Sequence, residues 1–133
     1  MLTRRVFSAC ALCAVGGLFA TDAGAQSQPA GFKRTIVSRI DGPIPGYETI
    51  SARLEIDPGT PVARHTHAGV ESSYIVSGAT ELAVDGVGTR TYRAGEAFQV
   101  PTGVPHGGRN LDQPTVIATT YIVEKGKPLA TPA

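Results

Sequence analysis

Residues 59–78 read GTPVARHTHAGVESSYIVSG, and residues 95–110 read GEAFQVPTGVPHGGRN. In an extended strand, alternate side chains point to the same face, so His65 and His67 project together toward one interior. Glu71 has the same parity. It lies beyond Ala68-Gly69, which reads as a hairpin corner, so it approaches the two imidazoles from an adjoining strand. His106 belongs to the second run and can join the other three only through folding. The chain holds 3 histidines, and every one falls in these two runs. Three imidazoles and one carboxylate form a mixed N/O donor set that suits Fe(II), Mn(II), Ni(II), Co(II) or Zn(II), and an octahedral ion so held keeps positions open for substrate, water or dioxygen.

The placing of Gly59, His65, His67, Glu71 and Gly78, and then of Gly95, Pro101, Thr102, Gly103, His106 and Asn110, resembles the two motifs of the cupin superfamily. All the motif positions are filled. The resemblance implies an all-β fold, a double-stranded β-helix or jelly-roll barrel, with one divalent transition metal held by His65, His67, Glu71 and His106 inside its mouth. It also implies a small-molecule substrate or ligand. Gly59, Gly78, Gly95 and Gly103 read as residues chosen for backbone conformation, and Asn110 as a turn-former at the end of a strand.

The 133 residues are enough for one small domain with a single core. Gly and Pro contribute 16 and 10 residues, which fits short strands joined by tight turns. Residues 1–25 read as a cleavable export signal: Arg4 and Arg5 form the charged start, Val6 to Ala20 the apolar stretch, and Ala23-Gly24-Ala25 the cleavage pattern before Gln26. Thr3-Arg4-Arg5-Val6-Phe7 also resembles a twin-arginine signal, which moves folded proteins and would allow metal loading before export. The expected product is periplasmic or secreted. Removing residues 1–25 takes away Arg4, Arg5 and Asp22 and leaves basic and acidic residues in equal number. Such a balance gives no field for nucleic acid and no polybasic membrane patch. Cys10 and Cys13 both lie in the signal, so the mature protein has neither thiol nor disulfide.

Residues 26–34 are polar and proline-containing and read as a flexible arm. The barrel domain is expected over residues 35–123. Thr35 to Ile40 has strand composition, and Asp41-Gly42-Pro43-Ile44-Pro45-Gly46 is turn chemistry. In Tyr47 to Ile56, Ala52, Leu54 and Ile56 alternate with Arg53 and Glu55, the mark of a half-buried strand. Asp85-Gly86 is a hairpin signal between Glu81–Val84 and Val87–Arg93. Ala97 to Val100 leads into Pro101-Thr102-Gly103-Val104-Pro105, a stiff loop that delivers His106. Thr115 to Val123 is the last clear strand, and residues 124–133 read as a polar tail without a core pattern. No helical period of useful length occurs after residue 25. Thr35–Ile40 reads as an exposed sheet edge, and because small cupins commonly pair such strands between subunits, a homodimer is expected.

For function, the expectation is a non-haem metalloenzyme of dioxygenase type with Fe(II), since imidazole–carboxylate sites with free positions suit oxygen activation. A non-redox isomerase, lyase or decarboxylase and a non-catalytic binding cupin are the alternatives. Ser73 and Ile75 share the parity of Glu71 and face the cavity in this reading. Leu54, Ile56, Phe98 and Val100 are candidates for its apolar wall, and Arg53, Arg64 and Arg109 for attracting a carboxylate. Tyr121 is a candidate proton donor if it faces inward, whereas the parity of Tyr74 turns it outward.

Overall fold

The computed structural model describes residues 28–133, so the export signal predicted over residues 1–25 lies outside the described part. Ten strands and no helix occur among the described residues. The first sheet contains β1 (Phe32–Asp41), β2 (Tyr47–Ile56), β9 (Thr115–Glu124), β4 (Gly69–Ser77) and β7 (Ala97–Val100), in that spatial order. The second contains β10 (Thr131–Pro132), β3 (Pro61–Thr66), β8 (His106–Asn110), β5 (Ala79–Val84) and β6 (Gly88–Arg93). All pairings are antiparallel. The result is the all-β, two-sheet jelly roll expected from the motifs.

Period-2 alternation builds the interior. On β2 the side chains of Ile50, Ala52, Leu54 and Ile56 are buried, and on β9 those of Thr115, Ile117, Thr119, Tyr121 and Val123. One apolar cluster joins Leu54, Ile56, Ile75, Leu82, Phe98, Val100 and Ile117 from both sheets. A smaller one joins Ile50, Ala52, Tyr121 and Val123. Burying a side chain of this size stabilises the fold by about 1.5–3 kcal/mol relative to leaving it in water.

Three local expectations change. Ala68-Gly69 does not turn a hairpin: β3 belongs to the second sheet and β4 to the first, so the chain crosses between sheets there. Gly69 is needed for that crossing, since a Cβ at this position would lie 1.9 Å from the carbonyl oxygen of Ile122. The first strand begins at Phe32 rather than Thr35, because Phe32 and Arg34 pair with Ile56 and Leu54 and share their inward face. The polar tail also has a place in the fold. Leu129 packs on the smaller apolar cluster, and β10 pairs with His65 and Thr66 of β3.

Asn110 is structural, as its position suggested, though its reach is long. Fully buried, it directs its amide toward the carbonyls of Ile56, Asp57 and Gln113, tying the loop after β2 to the loop before β9. Asp85-Gly86 turns the β5–β6 hairpin, closed by the Val87 amide donating to the Val84 carbonyl.

Candidate metal centre

The fold brings all four predicted donors together. His65 ends β3, His67 follows it in the crossing, Glu71 lies on β4 and His106 opens β8. One candidate ligand atom from each lies within 4.8 Å of those of the others. Ring centroids are 4.9 Å apart for His65 and His67, 4.3 Å for His65 and His106, and 5.0 Å for His67 and His106. His67, Glu71 and His106 are buried, and His65 is half-buried at the outer side.

The backbone sets the aim of each ring. Nδ1 of His65 donates to the Ala63 carbonyl at 2.7 Å and Nδ1 of His106 to the Val104 carbonyl at 2.9 Å. Nδ1 of His67 donates to the Leu129 carbonyl of the tail. Holding the proton at Nδ1 makes Nε2 the nitrogen that would bind a metal, at His67 and His106 in exchange for the proton each donates to Glu71. The loop Pro101–Pro105 is tied into this arrangement, because the Gly103 amide donates to the His67 carbonyl.

Glu71 is bound at both oxygens. Oε2 lies 2.9 Å from His67 Nε2 and 3.2 Å from His106 Nε2, while Oε1 accepts from the Ser73 hydroxyl at 2.7 Å. Ser73 in turn meets Thr119 on β9 at 2.9 Å. Burial alone would raise the Glu71 carboxyl. The hydrogen bonds from His106 and His67, the nearby His67 charge and the Ser73 hydroxyl outweigh it, so the group is held well below the usual carboxylate range. His65 is pushed down to about 4, chiefly by burial and then by the neighbouring His106 and His67, so it is a neutral ligand at neutral pH. For His106, burial is again the largest single influence and lowers it, but the bonds to Glu71 and Val104 carry it above its ordinary value. One carboxylate that stays ionised among three close imidazoles fits a divalent cation, which would take their lone pairs and offset the buried negative charge.

A matching sequence model adds the family to the geometry: the cupin domain matches residues 52–127. The chain belongs to the cupin family. Among solved structures, the KdgF protein of a Halomonas species is 22% identical over 76% of this chain and 86% of its own, with a TM-score of 0.63. An RmlC-like cupin from Shewanella frigidimarina is 25% identical over 72% of this chain and 79% of its own, with a TM-score of 0.61. The DMSP lyase DddQ from Ruegeria pomeroyi is 18% identical over 77% of this chain and 51% of its own, with a TM-score of 0.66. No curated protein matches the sequence.

Around the centre of this cupin lies a small interior cavity of about 40 Å³, walled by Leu54, Ile56, Phe98, Ile117 and Tyr121 beside His65, Glu71 and His106. Phe32, Arg34, Val62 and His65 also wall an outer pocket of about 330 Å³. Ser73 and Ile75 are buried inward as their parity required, but like Val100 they lie behind the cavity rather than in its wall, Ser73 against Glu71 and the other two in the apolar cluster; Tyr74 is half-exposed on the outside. Tyr121 faces inward with its ring 4.9 Å from that of His67. Burial, followed by the Glu71 charge, raises its phenol, so it keeps its proton.

Of the three candidate arginines only Arg64 lines the outer pocket beside the centre. Arg53, Arg64 and Arg109 are exposed and face Glu55, Asp85 and Glu81 respectively. The arginine that reaches the cavity is Arg34, placed by sequence alone in the arm. Extending the alternation back from Ile36 through Arg34 to Phe32 would have found it. Thr119 and the Leu129 carbonyl were also missed. The first shares the parity of Tyr121, whereas a backbone carbonyl leaves no mark in a sequence.

Proposed function

We propose that this cupin is an exported, metal-dependent enzyme of dioxygenase type that acts on a small organic molecule at His65, His67, Glu71 and His106. The observation that carries the reading is the shared aim of the rings. Each imidazole commits its Nδ1 proton to a backbone carbonyl, so the three Nε2 atoms gather beside the Glu71 carboxylate, where a metal would take the place of the protons by which His67 and His106 bond to it. Fe(II) is the favoured occupant because this donor set with open positions suits oxygen activation. When bound, the metal supplies Lewis acidity and a redox route to dioxygen.

The chain's own residues do the rest. Glu71, oriented by Ser73, neutralises part of the ion's charge. Tyr121 retains its proton and serves as a hydrogen-bond donor in the wall. Leu54, Ile56, Phe98 and Ile117 keep bulk water from the interior. Export rests on the charged, apolar and Ala-Gly-Ala pattern of residues 1–25. We place the contact with a second copy at β1, an edge strand whose Val37 and Ile40 are exposed.

A second reading keeps the metal as a Lewis acid without redox change. It is favoured by the donor set, which suits Zn(II), Ni(II) or Mn(II) as well as iron, and it covers lyase chemistry of the kind named for DddQ. Elemental analysis of the exported protein, followed by oxygen uptake with phenols, flavonoids, thiols and organic acids, tests both. One equivalent of iron and substrate-dependent oxygen uptake are expected. Product without oxygen uptake selects the second reading, and saturable binding without product selects a binding cupin. A protein with no measurable divalent affinity overturns all three.

A further inference from the structure

Arg34 is the one Lys or Arg among the described residues that is not exposed. It lies on β1 opposite Leu54, whose side chain is buried, so its own side chain runs into the space between the sheets. Its guanidinium carbon sits 5.5 Å from the Phe32 ring centroid and 5.7 Å from that of Tyr121. Two aromatic faces at that range hold a guanidinium in place without neutralising it. Among the described residues Arg34 forms no ion pair, and its buried Nε has no hydrogen-bond partner. A partly desolvated guanidinium with an unused donor is costly in isolation and is relieved by an acceptor. Arg34 walls both the interior cavity beside the imidazoles and the outer pocket. Glu81 also touches the cavity but faces Arg109.

We propose that Arg34 is the anchor for a carboxylate, and that the molecule accepted by the outer pocket beside the centre is a small monocarboxylic acid with an apolar body. A planar fork of N–H donors matches a carboxylate in two parallel hydrogen bonds. The rest of the outer pocket says what the carboxylate is attached to: Pro29, Phe32, Val62, Ala130 and Pro132 offer an apolar surface, and the pocket's other cation, Arg64, is already paired with Asp85, which leaves one free anchor beside Gln28. With its carboxylate on Arg34, such a molecule lies against His65, the most exposed of the four donors. The inference rests on reading the pocket as a small-molecule site, but it concerns the anion and not the metal.

The test is calorimetric titration of benzoate and of its neutral isostere benzamide into the protein, metal-loaded and metal-free, with metal content measured separately. The wild type is expected to prefer benzoate by about tenfold or more, the size of one charge-assisted contact. Arg34→Gln should take up metal like the wild type and bind the two probes equally. Arg34→Lys, which keeps the charge and loses the fork, should retain an intermediate preference, and it supplies the reading if the glutamine variant does not fold. Equal affinities in the wild type, or an undiminished benzoate preference in either variant, overturn the proposal. A chain that takes up no metal sinks the functional reading above, and the metal-free titration still decides this one.

Discussion

Two strand pairs of this cupin, β2–β9 in the first sheet and β3–β8 in the second, are built to different standards of regularity. In the first, β2 and β9 pair over 10 residues without a slip, from Tyr47 opposite Glu124 to Ile56 opposite Thr115. In the second, β3 meets β8 through a register shift between Val62 and His65, and β8 carries Gly107 and Gly108 in sequence. A Cβ at Gly108 would lie 1.9 Å from the Glu81 carbonyl oxygen, so the glycine lets β8 press against β5. Two of the three histidines come from this shifted pair and the third from the crossing that leaves it, whereas Glu71 comes from β4, in register with β9 at that point and shifted only beyond Ile75. The difference teaches a division of labour. An unbroken ladder with a uniformly buried face holds the fold, and a shifted one re-aims side chains toward a common point.

The sharpest way to strain this comparison is at the centre of the apolar cluster. Ile75 is fully buried on β4. Ile75→Ala should lower stability by about 2–5 kcal/mol, from lost transfer energy and the cavity left behind. Thermal or denaturant melts measure this, while metal affinity at a temperature where the variant is folded should stay near that of the wild type. A large fall in affinity in a folded variant would mean that the cluster positions the donors as well as supporting them.

The converse substitution acts on the shifted β3–β8 pair. His106→Ala removes one donor and one of the two imidazole contacts to Glu71 Oε2. Metal affinity should fall by at least about 100-fold, since changes to supporting partners alone cost 10- to 100-fold. The metal-free melting temperature should move less than in Ile75→Ala. If instead the melt collapses, the shifted β3–β8 pair is as much a part of the stabilising frame as β2–β9, and the division of labour fails.

These two residues also mark how much was legible beforehand. Strands β2, β4 and β9 announce themselves because one face is buried and the other wet, so apolar and polar residues alternate. The four donors are legible because the chain's only histidines fall at strand-like spacing in two runs. What lay hidden depends on where strands go after they end. Ala68-Gly69 looks the same whether the chain returns along its own sheet or crosses to the other. Arg34 escaped because Gln26 to Arg34 has polar, proline-bearing composition, and only pairing with β2 reveals that its last residues are strand. Leu129 escaped because one apolar residue among Lys127, Pro128 and Ala130 makes no period.

That last omission yields the smallest and most discriminating prediction. The tail reaches the centre in two ways, through the Leu129 carbonyl accepting from His67 Nδ1 and through β10 pairing with His65 and Thr66, while the Leu129 side chain packs on the Ile50–Tyr121 cluster. These contributions separate. Ending the chain at Lys127 removes the carbonyl, the packing and β10, so its affinity is read against that of a chain ending at Ala130, which loses β10 alone, whereas Leu129→Ala keeps the carbonyl and β10. If the bond fixes the tautomer and orientation of His67, the chain ending at Lys127 should lose about 10- to 100-fold in metal affinity relative to the one ending at Ala130. Leu129→Ala should lose a little stability and little affinity. Metal titration of the three chains alongside their melts decides the matter: equal losses of affinity in the chain ending at Lys127 and in Leu129→Ala would assign the effect to packing alone, and the tail would then belong to the supporting frame rather than to the centre.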